Sequence, residues 1–283
     1  TLFRSLYVPR RDADYFVDVG LRMLVLRHAV VARDDRYEVV PAERTLLVYY
    51  ANAIEYFFDR RDGVAHPTAT RTPLAPRRVT AKAVVLVHGL ARTSRSMARL
   101  GQALEQAGYA IFNWDYPSRA FGLEPLIEAL SRYVCDAAAL AERVDVVTHS
   151  MGGLLARGVL SDPPVANIGR LVMLAPPNHG AALASRASGY AWAREFYGQA
   201  LEELRPERAA VLNARMGRPR CEFGVIAGTR AFHPLQPTSY LSSLTRTAGS
   251  HDGTVDVDET RLAGMTDFIT VNANHMFIME HDE

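Results

Sequence analysis

RVDVVTHSMGGLLARGVL, residues 143–160, passes from a β-branched apolar run into a helical apolar pattern, with a serine at the junction. The first seven residues read as a strand and GGLLARGVL (152–160) as a helix close behind it. Between them, THSMGG (148–153) admits two readings of Ser150. In one it is a helix N-cap, the common use of a serine in that place. In the other it is a nucleophile on a sharp strand-to-helix turn, with its hydroxyl above the sheet and helix amides nearby for developing negative charge. Gly152 and Gly153 let the helix begin close to the sheet without a side-chain collision. The choice rests on whether the rest of the chain supplies a base and an acid.

Working outward, the same strand-then-helix alternation repeats. AVVLVHG (83–89) is an apolar strand followed by the helical RSMARLGQALEQAG (95–108), and YAIFNWDY (109–116) is a strand followed by a helix over GLEPLIEALSRYVCDAAALAE (122–142). IGRLVMLAPP (168–177), CEFGVIAGT (221–229) and DFITVN (267–272) complete the strands. Apolar runs without strict alternation, separated by helix-length segments, predict an α/β fold: a mostly parallel sheet covered by helices on both faces. Such sheets bind and react beyond the carboxyl ends of their strands.

Those strand ends carry the remaining chemistry. HDGTVDVDET (251–260) places Asp252 before a turn-forming Gly253, so its carboxylate can receive a hydrogen bond from an imidazole. Asp256, Asp258 and Glu259 are rivals in a stretch that reads as solvated surface, and their spacing is not that of an EF-hand. NANHMFIM (272–279) sets His275 after the last strand, which makes it the candidate base, while His281 lies close to the end of the sequence. His88 in VHGL suits a hydrogen bond that holds its own turn. Bending of that loop over the site makes the Leu90 amide one candidate oxyanion donor and the Met151 amide the other. His179 in PPNHG suits the shaping of an acyl pocket, Met276 contributes apolar surroundings, and Trp114 either packs in the core or lines the cleft.

VVLVHGL, THSMGG, LAPPNHG, DGTV and the late His275 together resemble the alpha/beta hydrolases of the lipase and esterase group, in bacterial lipase-like form, from about Val79 to the C-terminus. The pieces follow that group's chain order of serine, acid and histidine. The resemblance implies serine-dependent hydrolysis of esters, commonly acyl or lipid esters, through an acyl-enzyme, with no metal or organic cofactor; acyl transfer or amide hydrolysis by the same three residues, and a catalytically silent binding protein of the same fold, are the alternatives. Two departures accompany it. Thr148 stands where Gly-x-Ser-x-Gly has its first glycine, and His251 stands beside Asp252, where it can compete for the carboxylate.

The 283 residues carry 32 Lys and Arg against 31 Asp and Glu, a net charge of +1, which gives no phosphate-binding surface and argues against nucleic acid as a partner. Cys135 and Cys221 are too few for a disulfide scaffold or a thiolate metal site, and allow one disulfide or two buried thiols. No stretch reaches the ~18 uninterrupted apolar residues of a spanning helix. YFVDVGLRMLVLRHAV (15–30) reads as an amphipathic helix packing on the body, with peripheral membrane contact as its alternative. Residues 1–78 are thus expected to be an N-terminal extension on a hydrolase domain spanning 79–283. TLLVYYANAIEYFFD (45–59) supports either two strands or a buried helix, and HPTATRTPLAPRR (66–78) reads as an extended connector. AWAREFYGQALEELRPERAAVLNARMG (191–217) is helical material, within 181–217, that forms either a cap over the site or an ordinary connection.

Overall fold

In the computed structural model, residues 30–33, 36–39, 80–232, 238 and 249–280 are described, and the chain divides into two units, Thr1–Arg61 and Asp62–Glu283. In the first, β1 (Val30–Arg33) pairs antiparallel with β2 (Arg36–Val39), from Val30 opposite Val39 to Arg33 opposite Arg36. Val30 therefore opens a strand. The rest of the expected helix at 15–30, and the readings of 45–59 and 66–78, lie outside the described residues.

The second unit is built on six strands: β3 (Thr80–Val87), β4 (Ala110–Trp114), β5 (Ala141–His149), β6 (Ile168–Leu174), β7 (Glu222–Gly228) and β8 (Asp267–Val271). Their order is β4-β3-β5-β6-β7-β8 and every pairing is parallel. The interleaved helices are α1 (Ala98–Gln106), α2 (Leu123–Ala138), α3 (Met151–Leu160), α4 (Ala182–Ser188), α5 (Ala191–Tyr197), α6 (Ala200–Glu203), α7 (Ala209–Met216) and α8 (Val257–Thr260). The expected α/β architecture is the observed one.

The two faces of the sheet bury separate cores. On one, Leu123, Leu126, Leu130 and Val134 repeat at helical spacing along α2 and pack with Leu154, Leu155 and Val159 of α3 against Val85, Val87, Val144 and Val146. On the other, Met97, Ile278 and Met279 cover Val84, Leu86 and Leu174, with Leu100 and Leu104 of α1 alongside. Each fully buried aliphatic side chain of this kind contributes about 1.5–3 kcal/mol.

The helix expected over 122–142 stops at Ala138, since Ala141 already pairs with Thr80 in the sheet. Asn167 bridges the stop: its Nδ2 donates to the carbonyl of Ala138 at 3.0 Å, an acceptor that the helix end leaves open, and to that of Ala141, the first residue of β5, at 2.9 Å. At the other end of α2, where Gly122 offers no capping side chain, Glu203 accepts the Leu123 amide at 3.2 Å and places negative charge at a helix N-terminus. Cys135 and Cys221 are half-buried free thiols. Among the described residues no helix is long and apolar enough to cross a membrane.

Candidate active site

Ser150 does not act as an N-cap. Its φ of 53° and ψ of −125° lie in a region that costs a non-glycine residue about 1–3 kcal/mol, and its side chain makes no capping hydrogen bond. Its amide donates to the Leu174 carbonyl at 2.8 Å and its carbonyl accepts the Gly153 amide at 2.9 Å, which fixes the turn from both sides. The hydroxyl is thereby left to His275, whose Nε2 lies 2.9 Å away.

The turn is possible because α3 starts almost on top of β3. A Cβ on Gly152 would sit 2.6 Å from the Val87 carbonyl oxygen and 2.7 Å from that of His88. A Cβ on Gly153 would meet Pro176 at 2.9 Å and the Thr148 hydroxyl at 3.4 Å. Thr148, the departure from the glycine pattern, is fully buried near the end of β5 and stands at ordinary van der Waals distance from where a Gly153 Cβ would lie. Its buried hydroxyl faces the Val172 carbonyl at 3.4 Å, at the long end of a hydrogen bond.

Asp252 and His275 come to Ser150 from the segments that follow β7 and β8. Gly228, the last residue of β7, admits this approach, because a Cβ there would lie 2.8 Å from Asp252 Cβ and 2.5 Å from the Ala273 carbonyl oxygen. Asp252 Oδ1 accepts the amides of Thr254 and Val255 at 2.9 and 2.8 Å, the local bond of an Asx-turn, with Gly253 at φ 89° completing the bend. Oδ2 then receives His275 Nδ1 at 2.7 Å. Beyond the histidine, Asn274 Oδ1 accepts the amides of Met276 and Phe277 at 2.9 and 3.1 Å and turns the chain back into the core. Serine hydroxyl, imidazole and carboxylate thus form one continuous chain of hydrogen bonds, with Asp252 1% exposed and both Ser150 and His275 9% exposed.

His251 does not take the carboxylate's Oδ2. Its Nδ1 accepts the Gly253 amide at 3.1 Å. The other nearby acids have structural employment: Asp256 and Glu259 form a reciprocal capping box on α8, and the exposed Asp258 pairs with Arg261. The Asp-x-x-Glu spacing of 256–259 carries that signal in the sequence. Glu259 also accepts the Ala182 amide at 2.7 Å, so it ties the acid loop to the start of α4.

Burial first, then the charges of Asp256 and Asp252, raise the Glu259 carboxyl from 4.5 to about 7 against the opposing backbone donors. A folded value above the unfolded one gives stability that is full below about pH 4.5 and lost as pH rises through 7. Comparing melting temperatures from pH 5 to 8, the expectation is that wild-type protein loses more stability over this interval than Glu259→Gln. Parallel curves would reject the assignment.

The loop after β3 runs beside the serine. A Cβ on Gly89 would lie 2.9 Å from His149 Nδ1 and 3.0 Å from Ser150 Cβ. His88 holds this loop as the sequence reading expected: its Nδ1–H donates to the Gly89 carbonyl at 2.9 Å, while Nε2 accepts the Tyr116 amide at 3.3 Å. Burial lowers His88 to about 4, so the ring is neutral near pH 7 and stacks on Tyr116 at 4.1 Å. Ser118 Oγ accepts the Ala91 amide at 3.0 Å, helping to hold Ala91 at φ 55°. Among the described residues, neither the Leu90 nor the Met151 amide donates to another backbone group.

The three expected substrate contacts are placed differently from one another. Trp114 is 1% exposed and stacks on Tyr116 at 4.2 Å within the larger core, so of the two sequence readings it takes core packing. His179 is exposed, with its amide on the Glu259 carbonyl and Nδ1 3.4 Å from Asn213 Nδ2. Met276 is buried beside His275, and Arg92 donates to its carbonyl at 3.1 Å. Two residues escaped the sequence reading. His149 and Arg157 flank Ser150 in strand and helix, both fully buried, and the second is visible in sequence as a charge inside the apolar face of GGLLARGVL.

The chain belongs to the alpha/beta hydrolase family, whose sequence model matches residues 84–283. Among solved structures it is similar to the mature lipase BlEst2 of Bacillus licheniformis, at 20% identity and a TM-score of 0.59 over 77% of this chain and 90% of that one. The metagenomic carboxyl esterase MGS0156 is similar at 19% identity and a TM-score of 0.52, over 89% of this chain and 87% of that one. A lysosomal thioesterase, PPT2-B of Xenopus laevis, is 30% identical over 114 residues, which are 38% of this chain and 40% of the thioesterase.

Proposed function

We propose that this protein is a serine hydrolase that cleaves carboxylic esters, of the acyl or lipid kind, through an acyl-enzyme. The observation that carries the reading is the unbroken path from Ser150 Oγ to His275 Nε2 at 2.9 Å and from His275 Nδ1 to Asp252 Oδ2 at 2.7 Å. In this reading Ser150 Oγ attacks the ester carbonyl carbon while its proton passes to His275 Nε2. Asp252 holds the proton on Nδ1 and stabilises the imidazolium. The Leu90 and Met151 amides receive the oxyanion, the second of them helped by the N-terminus of α3. His275 then protonates the leaving alkoxide, and afterwards takes a proton from the water that releases the acid.

Helices α4 to α7 are proposed as a cap whose start and end are tied to the body through Ala182 and Gly217, with His179 at its margin. The similarity to a thioesterase favours thioesters as a second substrate arm, since a thiolate leaves the same tetrahedral intermediate. A fluorophosphonate probe followed by peptide mass spectrometry tests the central claim. The expected adduct is on Ser150, absent in Ser150→Ala. An intact, folded protein with no adduct on that residue would overturn the reading.

A further inference from the structure

The base of this triad is held by its own backbone, and the group that holds it comes from the residue next to the nucleophile. His149 is 2% exposed, and its Nε2 lies 2.9 Å from the carbonyl oxygen of His275. A carbonyl accepts, so Nε2 carries the proton and the ring is the neutral tautomer with Nδ1 unprotonated. Nδ1 has no hydrogen-bond partner among the described residues. A buried polar atom left in that condition calls for an explanation, because an apolar side chain in the same place would avoid it.

We infer that His149 is a positioning residue for the proposed general base, fixing the distance between Ser150 and His275 by clamping the His275 carbonyl. The inference rests on the triad assigned above and adds a residue that acts only through it. His275 is pinned at both backbone groups, its amide donating to the Asp252 carbonyl at 2.9 Å and its carbonyl accepting from His149. The first bond sets the imidazole against the acid. The second sets it against the nucleophile, since His149 and Ser150 are consecutive and share the end of β5. Misplacing a reacting group by about 1 Å costs on the order of a hundredfold in rate, so a strut of this kind has direct catalytic consequence.

The neutral ring suits the task. The two imidazole centroids are 4.8 Å apart, and a cationic strut would repel the imidazolium that forms on His275 during reaction. Burial first, and then the nearby His275, lower His149 well below its ordinary value. Gly89 completes the arrangement by leaving room for the ring's Nδ1 edge.

The test compares His149→Leu, which removes the donor, with His149→Gln, whose amide nitrogen can reach the place of Nε2. Hydrolysis of a p-nitrophenyl acyl ester and the rate of fluorophosphonate labelling are measured for both, with melting temperatures and Ser150→Ala alongside. The expected result is a kcat about tenfold or more lower in His149→Leu with KM within about twofold, slower labelling of Ser150 by a similar factor, and recovery of most of both losses in His149→Gln. Wild-type kcat in His149→Leu would overturn the inference, as would equal impairment of both variants. If Ser150→Ala is inactive while His149→Leu is unimpaired, the strut alone fails. If Ser150→Ala keeps its activity, the triad reading itself fails.

Discussion

Ser150→Ala is expected to lower kcat for ester hydrolysis by about four to six orders of magnitude, and Ser150→Ala/His275→Ala by no more than that. The equality is the informative part. A serine whose proton has nowhere to go gains nothing from its position, and an imidazole without the serine has no proton to take, so the second removal finds nothing left to lose. Asp252→Asn should cost about three to four orders by a different route. Asp252 Oδ1 is engaged by the amides of Thr254 and Val255, so in the variant the side-chain oxygen keeps those bonds and the NH2 group turns toward His275 Nδ1. A donor there forces the ring's proton onto Nε2, the nitrogen that has to accept from Ser150. Steady-state kinetics on the three variants, with circular dichroism to establish folding, checks the set. Losses that add across Ser150 and His275 would mean that the two do not act as one unit.

Much of this site is legible before any coordinates because its chemistry is local. The turn at Asp252 is written in Asp-Gly-Thr-Val, where a short carboxylate can reach amides two and three residues on. The strands are written in β-branched runs, two of which end close before Ser150 and His275, whereas Asp252 lies 24 residues beyond the end of β7. The alternatives left open at Ser150 separate only in three dimensions, since a serine before a helix has the same sequence whether it caps or attacks. A φ of 53° speaks against the cap, and the arrival of a histidine 125 positions away supports the proposed nucleophile. Trp114 shows the same limit from the other side. Aromatic residues alternating on a strand line a cleft or fill a core according to what packs on them, and here Tyr116 and Tyr133 do. The boundary at Ala138 is bridged by Asn167, which lies a strand away, and no helical periodicity contains that residue.

Arg157 is where long-range packing leaves the largest mark on stability, and Arg157→Leu is expected to destabilise the fold by about 3–5 kcal/mol. The guanidinium sits at 1% exposure on the buried face of α3. Nη1 donates to the Asn178 carbonyl and Oδ1 at 3.3 and 2.9 Å, and Nη2 to Asn213 Oδ1 and the Gly217 carbonyl at 2.9 and 2.8 Å. Burial lowers Arg157 to about 10, which leaves it charged near neutral pH, and the four oxygens it donates to are neutral. The charge is offset by the C-terminal end of α7, where Gly217 closes the helix. Asn178 continues the network by donating to the Thr260 carbonyl at 2.7 Å. Leucine would fill part of the volume but leave four acceptor contacts unmet; the two buried ones at Asn178 cost about 1–3 kcal/mol each before relaxation, and the part-buried ones at Asn213 and Gly217 cost less because water reaches them. Arg157→Lys should recover only part of the loss, because one ammonium cannot span Asn178 and Gly217 as the planar fork does. Urea unfolding gives the totals, and amide exchange gives their location: protection should fall first in 178–217, ahead of the central strands. A change below about 1 kcal/mol in Arg157→Leu would mean that those oxygens find other partners and that the helices between β6 and β7 are held to α3 by apolar packing alone.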